Sequence, residues 1–266
     1  MNFLSKVAHW FFTASHWRGT DGIPHRVYEH LTISGLAVAA ALLVALPIAL
    51  WLGHLGKGGY AAISIANAGR AIPSFALLVI GFEIFGLGAT PVFLALFALS
   101  VPPIVTNTYT AIRGVDPDVK ESAVGMGMTG WQVLTRVEIP NAIPLMFAGI
   151  RTAGVQAVAT ATLGAVVAWG GVGRYIVDGI AQQDHVLVFA GALIVAVLSF
   201  LTELALAALQ RGVTPKGLRL SAAHDPKLST LPGAAATTAG PAATTAGPAA
   251  TTAGPAAMAA VPAPAG

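Results

Sequence analysis

Side chains able to do chemistry are sparse in this chain, and the longest polar-rich interval among its apolar runs is Glu121 to Pro144, with Asp116, Asp118 and Lys120 just before it. Gly125-Met126-Gly127-Met128-Thr129-Gly130 has the G-x-G-x-x-G spacing that lets a backbone approach a pyrophosphate. That use needs a preceding strand and a βαβ unit, whereas the residues before Gly125 are acidic and helix-forming, so a flexible elbow is expected instead. A phosphate loop of the G-x-x-x-x-G-K-[ST] kind is missing, because Gly56-Lys57-Gly58 lacks both the leading glycine and the Ser/Thr. H-E-x-x-H and a nucleophile elbow are missing too, and with no cysteine there is neither a disulfide framework nor a thiolate metal site. His9, His16, His25 and His30 fit no usual ligand spacing and read as interfacial polar residues rather than metal ligands. The expectation is a chain that is not an enzyme and has no ATP, cofactor or metal site of its own.

The elements that must position these residues are apolar helices. The 266 residues are 55% hydrophobic and 9% charged, against ~25% charged in a soluble domain, so lipid is the expected solvent. About 20 apolar residues cross a bilayer, and five such spans are expected, at 31–52, 60–86, 91–112, 145–169 and 186–209. The fold class is therefore all-α, a polytopic membrane protein with five transmembrane helices. Three regions divide it: an aromatic-rich interfacial segment over 1–30, the membrane domain over 31–210, and a tail over 211–266. Within the tail, 235–255 is three copies of Ala-Ala-Thr-Thr-Ala-Gly-Pro, low in complexity, without large apolar residues, and expected to be disordered and dispensable. Arg70, Glu83, Arg151 and Glu203 fall toward the ends of their spans, leaving no charge at mid-membrane and favouring a path for a net-neutral solute.

Between the third and fourth spans, the polar stretch has readable local structure. Asp116 before Pro117 suits an N-cap followed by proline at the first helical position. Gly125, Gly127 and Gly130 break that helix. Thr129 and Gln132 have capping-box spacing for a second short helix, which Pro140 and Pro144 end. The result is an amphipathic helix–glycine–helix elbow at a membrane surface. Lys57, Arg113, Lys120, Arg136, Arg211, Lys216, Arg219 and Lys227 fall on one side of the membrane; Lys6, Arg18, Arg26 and Arg174 fall on the other. Because positive residues prefer the cytoplasm, the elbow and the C-terminus are expected inside and the N-terminus outside.

The elbow resembles the "EAA" loop of ABC importer permeases: Glu-Ala-Ala, three residues, Gly, nine residues, an aliphatic, one residue, an aliphatic, Pro. Here it runs Glu121-Ser122-Ala123, Gly127, Val137, Ile139-Pro140, with Ser122 in place of the first alanine. Two further stretches resemble the permeases of osmoprotectant importers for glycine betaine, choline and carnitine. One is the second-helix start Asn67-Ala68-Gly69-Arg70-Ala71-Ile72-Pro73-Ser74-Phe75-Ala76-Leu77-Leu78. The other is the glycine-rich outer loop Val167-Ala168-Trp169-Gly170-Gly171-Val172-Gly173-Arg174-Tyr175-Ile176-Val177-Asp178-Gly179, where Trp169 and Val172 depart from the commoner small residue and Leu. The resemblance implies a permease in a bacterial inner membrane whose elbow is a cytoplasmic coupling helix docking on a separate ATPase subunit, which binds the ATP. It also implies an extracytoplasmic substrate-binding protein and a second permease copy or paralogue. Phe75 and Trp169 are candidate pathway or gate residues, with Trp169 also suited to an interfacial anchor. Nucleic acid is not an expected partner.

Rival functions are a permease for methionine or another amino acid, a passive osmotic channel and an intramembrane enzyme. A channel needs no ATPase, and the patterned polar elbow speaks against it. An enzyme needs polar groups converging within the spans, and the sequence places none together.

Overall fold

Every regular element among the described residues is helical. A computed structural model describes residues 2–214, with the side chains of Tyr60, Ala62, Ile65, Asn67 and Arg70 excepted; the expectations for the 235–255 repeats and for the Arg70 side chain lie outside the described residues. The helices are α1 (Phe3–Phe12), α2 (Ile23–Leu55), α3 (Gly59–Ala71), α4 (Ser74–Phe85), α5 (Ala89–Arg113), α6 (Pro117–Gly125), α7 (Gly130–Val133), α8 (Ile139–Thr160), α9 (Gly173–Ala181) and α10 (His185–Val213). A π turn, Leu134–Glu138, joins α7 to α8, and a 3-10 stretch, Ala161–Val167, continues α8.

Four helices among the described residues are long and apolar enough to cross a membrane: α2, α5, the continuous run Gly130–Val167 and α10. The expected single span over 60–86 is instead two helices, α3 and α4. Proline disfavours helical geometry in the residue before it, and Ile72, ahead of Pro73, is extended at φ −73° and ψ 122°. The helix expected from 31 begins at Ile23, with Pro24 in its first turn. The N-terminal helix α1 lies against α10 and α9, with Phe3 edge-on to Phe189 at 5.4 Å and Trp10 edge-on to Tyr175 at 5.6 Å.

α5 is the central helix, with α2 and α8 packed on it through small residues. Ala37, Ala41, Ala45, Ala49 and Gly53 form a fully buried stripe along α2. A Cβ on Gly53 would lie 2.8 Å from the Ile112 side chain, and one on Gly149 of α8 would lie 2.6 Å from the Pro103 carbonyl oxygen. In lipid, close backbone approach supplies the packing that hydrophobicity cannot, which is why these positions are small.

The fourth span differs most from expectation. Pro140 and Pro144 do not end a surface helix; the helix that starts at Gly130 runs through both. The turn before Pro140 widens so that the Ile139 amide donates to the Leu134 carbonyl. Pro140 then stands in the first turn of α8, where a missing N–H is harmless. Pro144 is tolerated within α8, as in other membrane helices, because neighbours take up freed backbone groups.

Candidate functional site

The elbow folds as its local chemistry dictates. Asp116 Oδ1 accepts from the Asp118 amide at 2.9 Å, ahead of Pro117. α6 closes with two bonds, the Gly127 amide to the Val124 carbonyl at 2.9 Å and the Met128 amide to the Ala123 carbonyl at 3.2 Å. This is a Schellman closure, and it puts Gly127 in the left-handed region at φ +84°. α7 opens with the expected capping box, Thr129 Oγ1 accepting from the Gln132 amide at 3.4 Å and Gln132 Oε1 from the Thr129 amide at 2.8 Å. The G-x-G-x-x-G residues are thus a helix end, a turn and a helix start. Glu121, Ser122 and Gly127 lie on the surface, Ala123 is buried, and Val137, Ile139 and Pro140 are half-buried. Around them Val124, Met126 and Trp131 are 61%, 77% and 69% exposed, an apolar face on an otherwise polar elbow.

Behind that face lies a charge cluster that no sequence motif announced. The Glu138 carboxylate is buried, with Oε2 2.7 Å from His54 Nδ1 and Oε1 3.0 Å from Lys120 Nζ. Lys120 Nζ also donates to the Ile112 carbonyl at 2.9 Å, satisfying one of the orphan acceptors at the end of α5. One carboxylate therefore ties the π turn to the last turn of α2, to α6 and to the end of α5. A signal was present in the sequence: Leu134, Glu138, Ala142 and Met146 recur every four residues, and all four are buried. Glu138 sits on the apolar stripe of its helix, not on its polar face.

The opposite end of α2 is held differently. Glu29 Oε2 accepts from the Gly171 amide at 2.8 Å and from Arg26 Nη1 at 3.0 Å, while Arg26 also pairs with Asp21. A Cβ on Gly170 would come within 2.3 Å of the Glu29 carboxylate, and one on Gly171, at φ +78°, within 2.9 Å of the Trp169 ring, so the loop needs its glycines. The Tyr175 hydroxyl donates to the Asp21 carbonyl at 2.6 Å. Burial pushes that phenol up to about 12, so it remains a donor at physiological pH. The N-terminal histidines have separate surroundings: His16 stacks on Trp10, His25 faces Glu29, and His30 is buried with Nε2 2.7 Å from the Val158 carbonyl. Trp169 packs against the core around Ile33, Leu78 and Val92. Phe75 stands 48% exposed in the first turn of α4. The structure does not pair the two rings among the described residues.

Arg151 and Glu203, expected at span ends, are partners. Arg151 Nη2 pairs with Glu203 between α8 and α10, and Nη1 donates to Gln210 Oε1 at 2.9 Å. Gln210 Nε2 in turn donates to the Pro144 carbonyl at 3.0 Å. Because the helix begins at Gly130, not 145, Arg151 lies roughly 18 Å beyond Ile139 along α8, deeper than expected. Glu83 is exposed near the end of α4.

Comparison with known proteins gives a consistent picture. Residues 32–215 match the family described as "Binding-protein-dependent transport system inner membrane component". The glycine betaine/carnitine/choline transport system permease protein OpuCB of Bacillus subtilis (strain 168) is 40% identical over 195 residues, 73% of this chain and 90% of that one. The osmoprotectant import permease protein OsmW of Salmonella typhimurium (strain LT2) is 38% identical over 202 residues, 72% of this chain and 92% of that one. A solved structure of the MetNI methionine ABC transporter in an inward-facing conformation superposes with a TM-score of 0.62 at 22% identity, covering 73% of this chain and 96% of that one. At that identity the last likeness speaks for the fold alone.

Proposed function

This chain belongs to the family of binding-protein-dependent transport system inner membrane components, and on that premise we propose that it is the permease subunit of an ATP-driven importer of quaternary-ammonium osmoprotectants such as glycine betaine, choline or carnitine. The relatives named for these solutes, at 38–40% identity over most of their length, support the substrate class. A binding protein on the outer side delivers solute, two permeases form the path, and a separate ATPase subunit supplies the energy. The N-terminus lies outside, with the elbow and the end of α10 in the cytoplasm.

The observation that carries the coupling role is the elbow itself: an exposed apolar face on a short, capped helix pair, backed by a buried carboxylate. Val124, Met126 and Trp131 offer the ATPase a surface to grip. Glu138, through His54 and Lys120, makes that surface continuous with α2, α6 and α5. Displacing the elbow then displaces the ends of two membrane helices, and the path between permeases changes shape. Glu121, Ser122, Ala123, Gly127, Val137, Ile139 and Pro140 serve as the frame of this device. Phe75 and Trp169 keep their assignment as candidate pathway residues, Phe75 with the stronger claim because its ring is open.

The test is ATP-dependent uptake of labelled glycine betaine, choline and methionine by vesicles carrying the permease with its ATPase and binding protein. Quaternary amines are expected to accumulate. Accumulation of methionine with no quaternary amine transported would move the chain to the amino-acid reading.

A further inference from the structure

Arg151 and Glu203 stand on helices that cross the bilayer, where a charged side chain costs several kcal/mol unless it is paired or wet. A bridge needed only to hold α8 to α10 would be served as well by apolar residues of similar volume. Nor is this one sealed. The two side chains are 28% and 36% exposed, and they line a groove of about 540 Å³ together with Thr152, Val155 and Gln156. That volume falls in the range of small-molecule sites, ~300–1,000 Å³. The guanidinium is also incompletely satisfied: Nη1 and Nη2 have Gln210 and Glu203, while Nε has no partner among the described residues.

We propose that Arg151 and Glu203 form a membrane-embedded subsite for the carboxylate and the quaternary ammonium of a transported zwitterion. This rests on the permease reading above. In the empty site the two charges neutralise each other. A zwitterion entering the groove sets its carboxylate on the Arg151 fork, which suits two parallel N–H···O bonds, and its ammonium against Glu203. One ion pair becomes two, the net charge stays zero, and no unpaired charge faces lipid. The quaternary ammonium offers no hydrogen-bond donor, so the carboxylate is the group that Arg151 can select. Choline, which has no carboxylate, cannot use Arg151.

The experiment measures KM and maximal rate of ATP-dependent uptake for glycine betaine and for choline in the full transporter, comparing wild type with Arg151→Met, Arg151→Lys, and the exchange of Arg151→Glu with Glu203→Arg. Arg151→Met is expected to raise KM for glycine betaine about tenfold or more and to leave choline within about threefold. Arg151→Lys keeps the bridge but not the fork. It serves if the Met variant fails to assemble, with a smaller rise confined to glycine betaine. The exchanged pair restores an α8–α10 bridge with its charges reversed, and glycine betaine uptake is expected to stay impaired. Equal losses for both solutes, or recovery of glycine betaine uptake in the exchanged pair, would reduce Arg151–Glu203 to a structural bridge and overturn the proposal. If the wild type carries methionine and neither quaternary amine, the osmoprotectant reading fails separately. Uptake of methionine against its methyl ester in the same variants then decides whether Arg151 reads a carboxylate.

Discussion

α2 is held at each end by a carboxylate, and the two carboxylates live in different worlds. Glu138, at the elbow end, is 3% exposed and takes two partners, the Lys120 ammonium and the His54 ring, from two different elements. Glu29, at the glycine-loop end, is 28% exposed, and its side-chain partners, His25 and Arg26, sit within four residues of it on the same helix. A buried ionic cluster is expensive to break one member at a time, whereas an exposed pair is screened by water and salt. The contrast teaches which end must move as one piece. At the elbow one carboxylate joins α2, α6 and the π turn, and Lys120 carries the link on to α5, an arrangement suited to the proposed passing of motion. At the glycine loop the link to the α2 carboxylate is one hydrogen bond, from the Gly171 amide to Glu29 Oε2, with the Tyr175 hydroxyl bonded to the Asp21 carbonyl just ahead of the helix.

The largest expected effect is at Glu138. Glu138→Ala leaves Lys120 and His54 facing each other without their shared carboxylate, a loss of about 3–5 kcal/mol, read as a large drop in the melting temperature of the purified transporter and loss of uptake. Glu138→Gln keeps the shape and much of the hydrogen bonding. It is expected to assemble with the ATPase but to hydrolyse more ATP per solute imported. Wild-type coupling in both variants would show that the cluster transmits nothing.

Gly127→Leu comes next. The space around Gly127 is open, with none of the described residues within 4 Å of where a Cβ would stand, but the backbone lies at φ +84°. A side chain there costs about 1–2 kcal/mol in backbone strain and unwinds the Schellman closure that presents the elbow. Membrane insertion is expected to survive while uptake is abolished and ATPase association weakens. Normal uptake would remove the elbow from the coupling path.

The smallest effect belongs to Glu29→Gln. With the carboxylate itself 28% exposed and His25 44% exposed, the loss is about 1 kcal/mol or less, and uptake should stay within about threefold of wild type. If this variant proved as damaging as Glu138→Ala, the distinction between a locked and an open end of α2 would collapse.

What could be read from the sequence divides along the same line, between local and distant causes. The Asp116–Pro117 cap, the Thr129–Gln132 box and the glycine break are written within a few residues of one another, and all three are present. The four long apolar helices were legible from composition, because lipid tolerates few charges. The break at Ile72–Pro73 follows from a single proline, yet the apolar residues on both sides masked it. The continuous helix through Pro140 depends on a π turn, a hydrogen-bond shift with no residue signature of its own. Glu138 and His54 are 84 residues apart and Arg151 and Glu203 are 52 apart, so neither partnership is visible to a reading by spacing.

Because the chain contains no cysteine, one introduced thiol reports on one place. Met126→Cys puts that thiol on the exposed apolar face of the elbow, far from the Glu138 cluster in function and open to a partner. The decisive measurement is crosslinking of this variant in the assembled, membrane-embedded transporter with a short thiol-to-amine reagent, alongside labelling of intact cells with a membrane-impermeant maleimide. The expected result is a crosslink to the ATPase subunit and protection from the maleimide until the membrane is opened. A crosslink to the binding protein, or labelling of intact cells from outside, would contradict the placement of the elbow as the cytoplasmic coupling element.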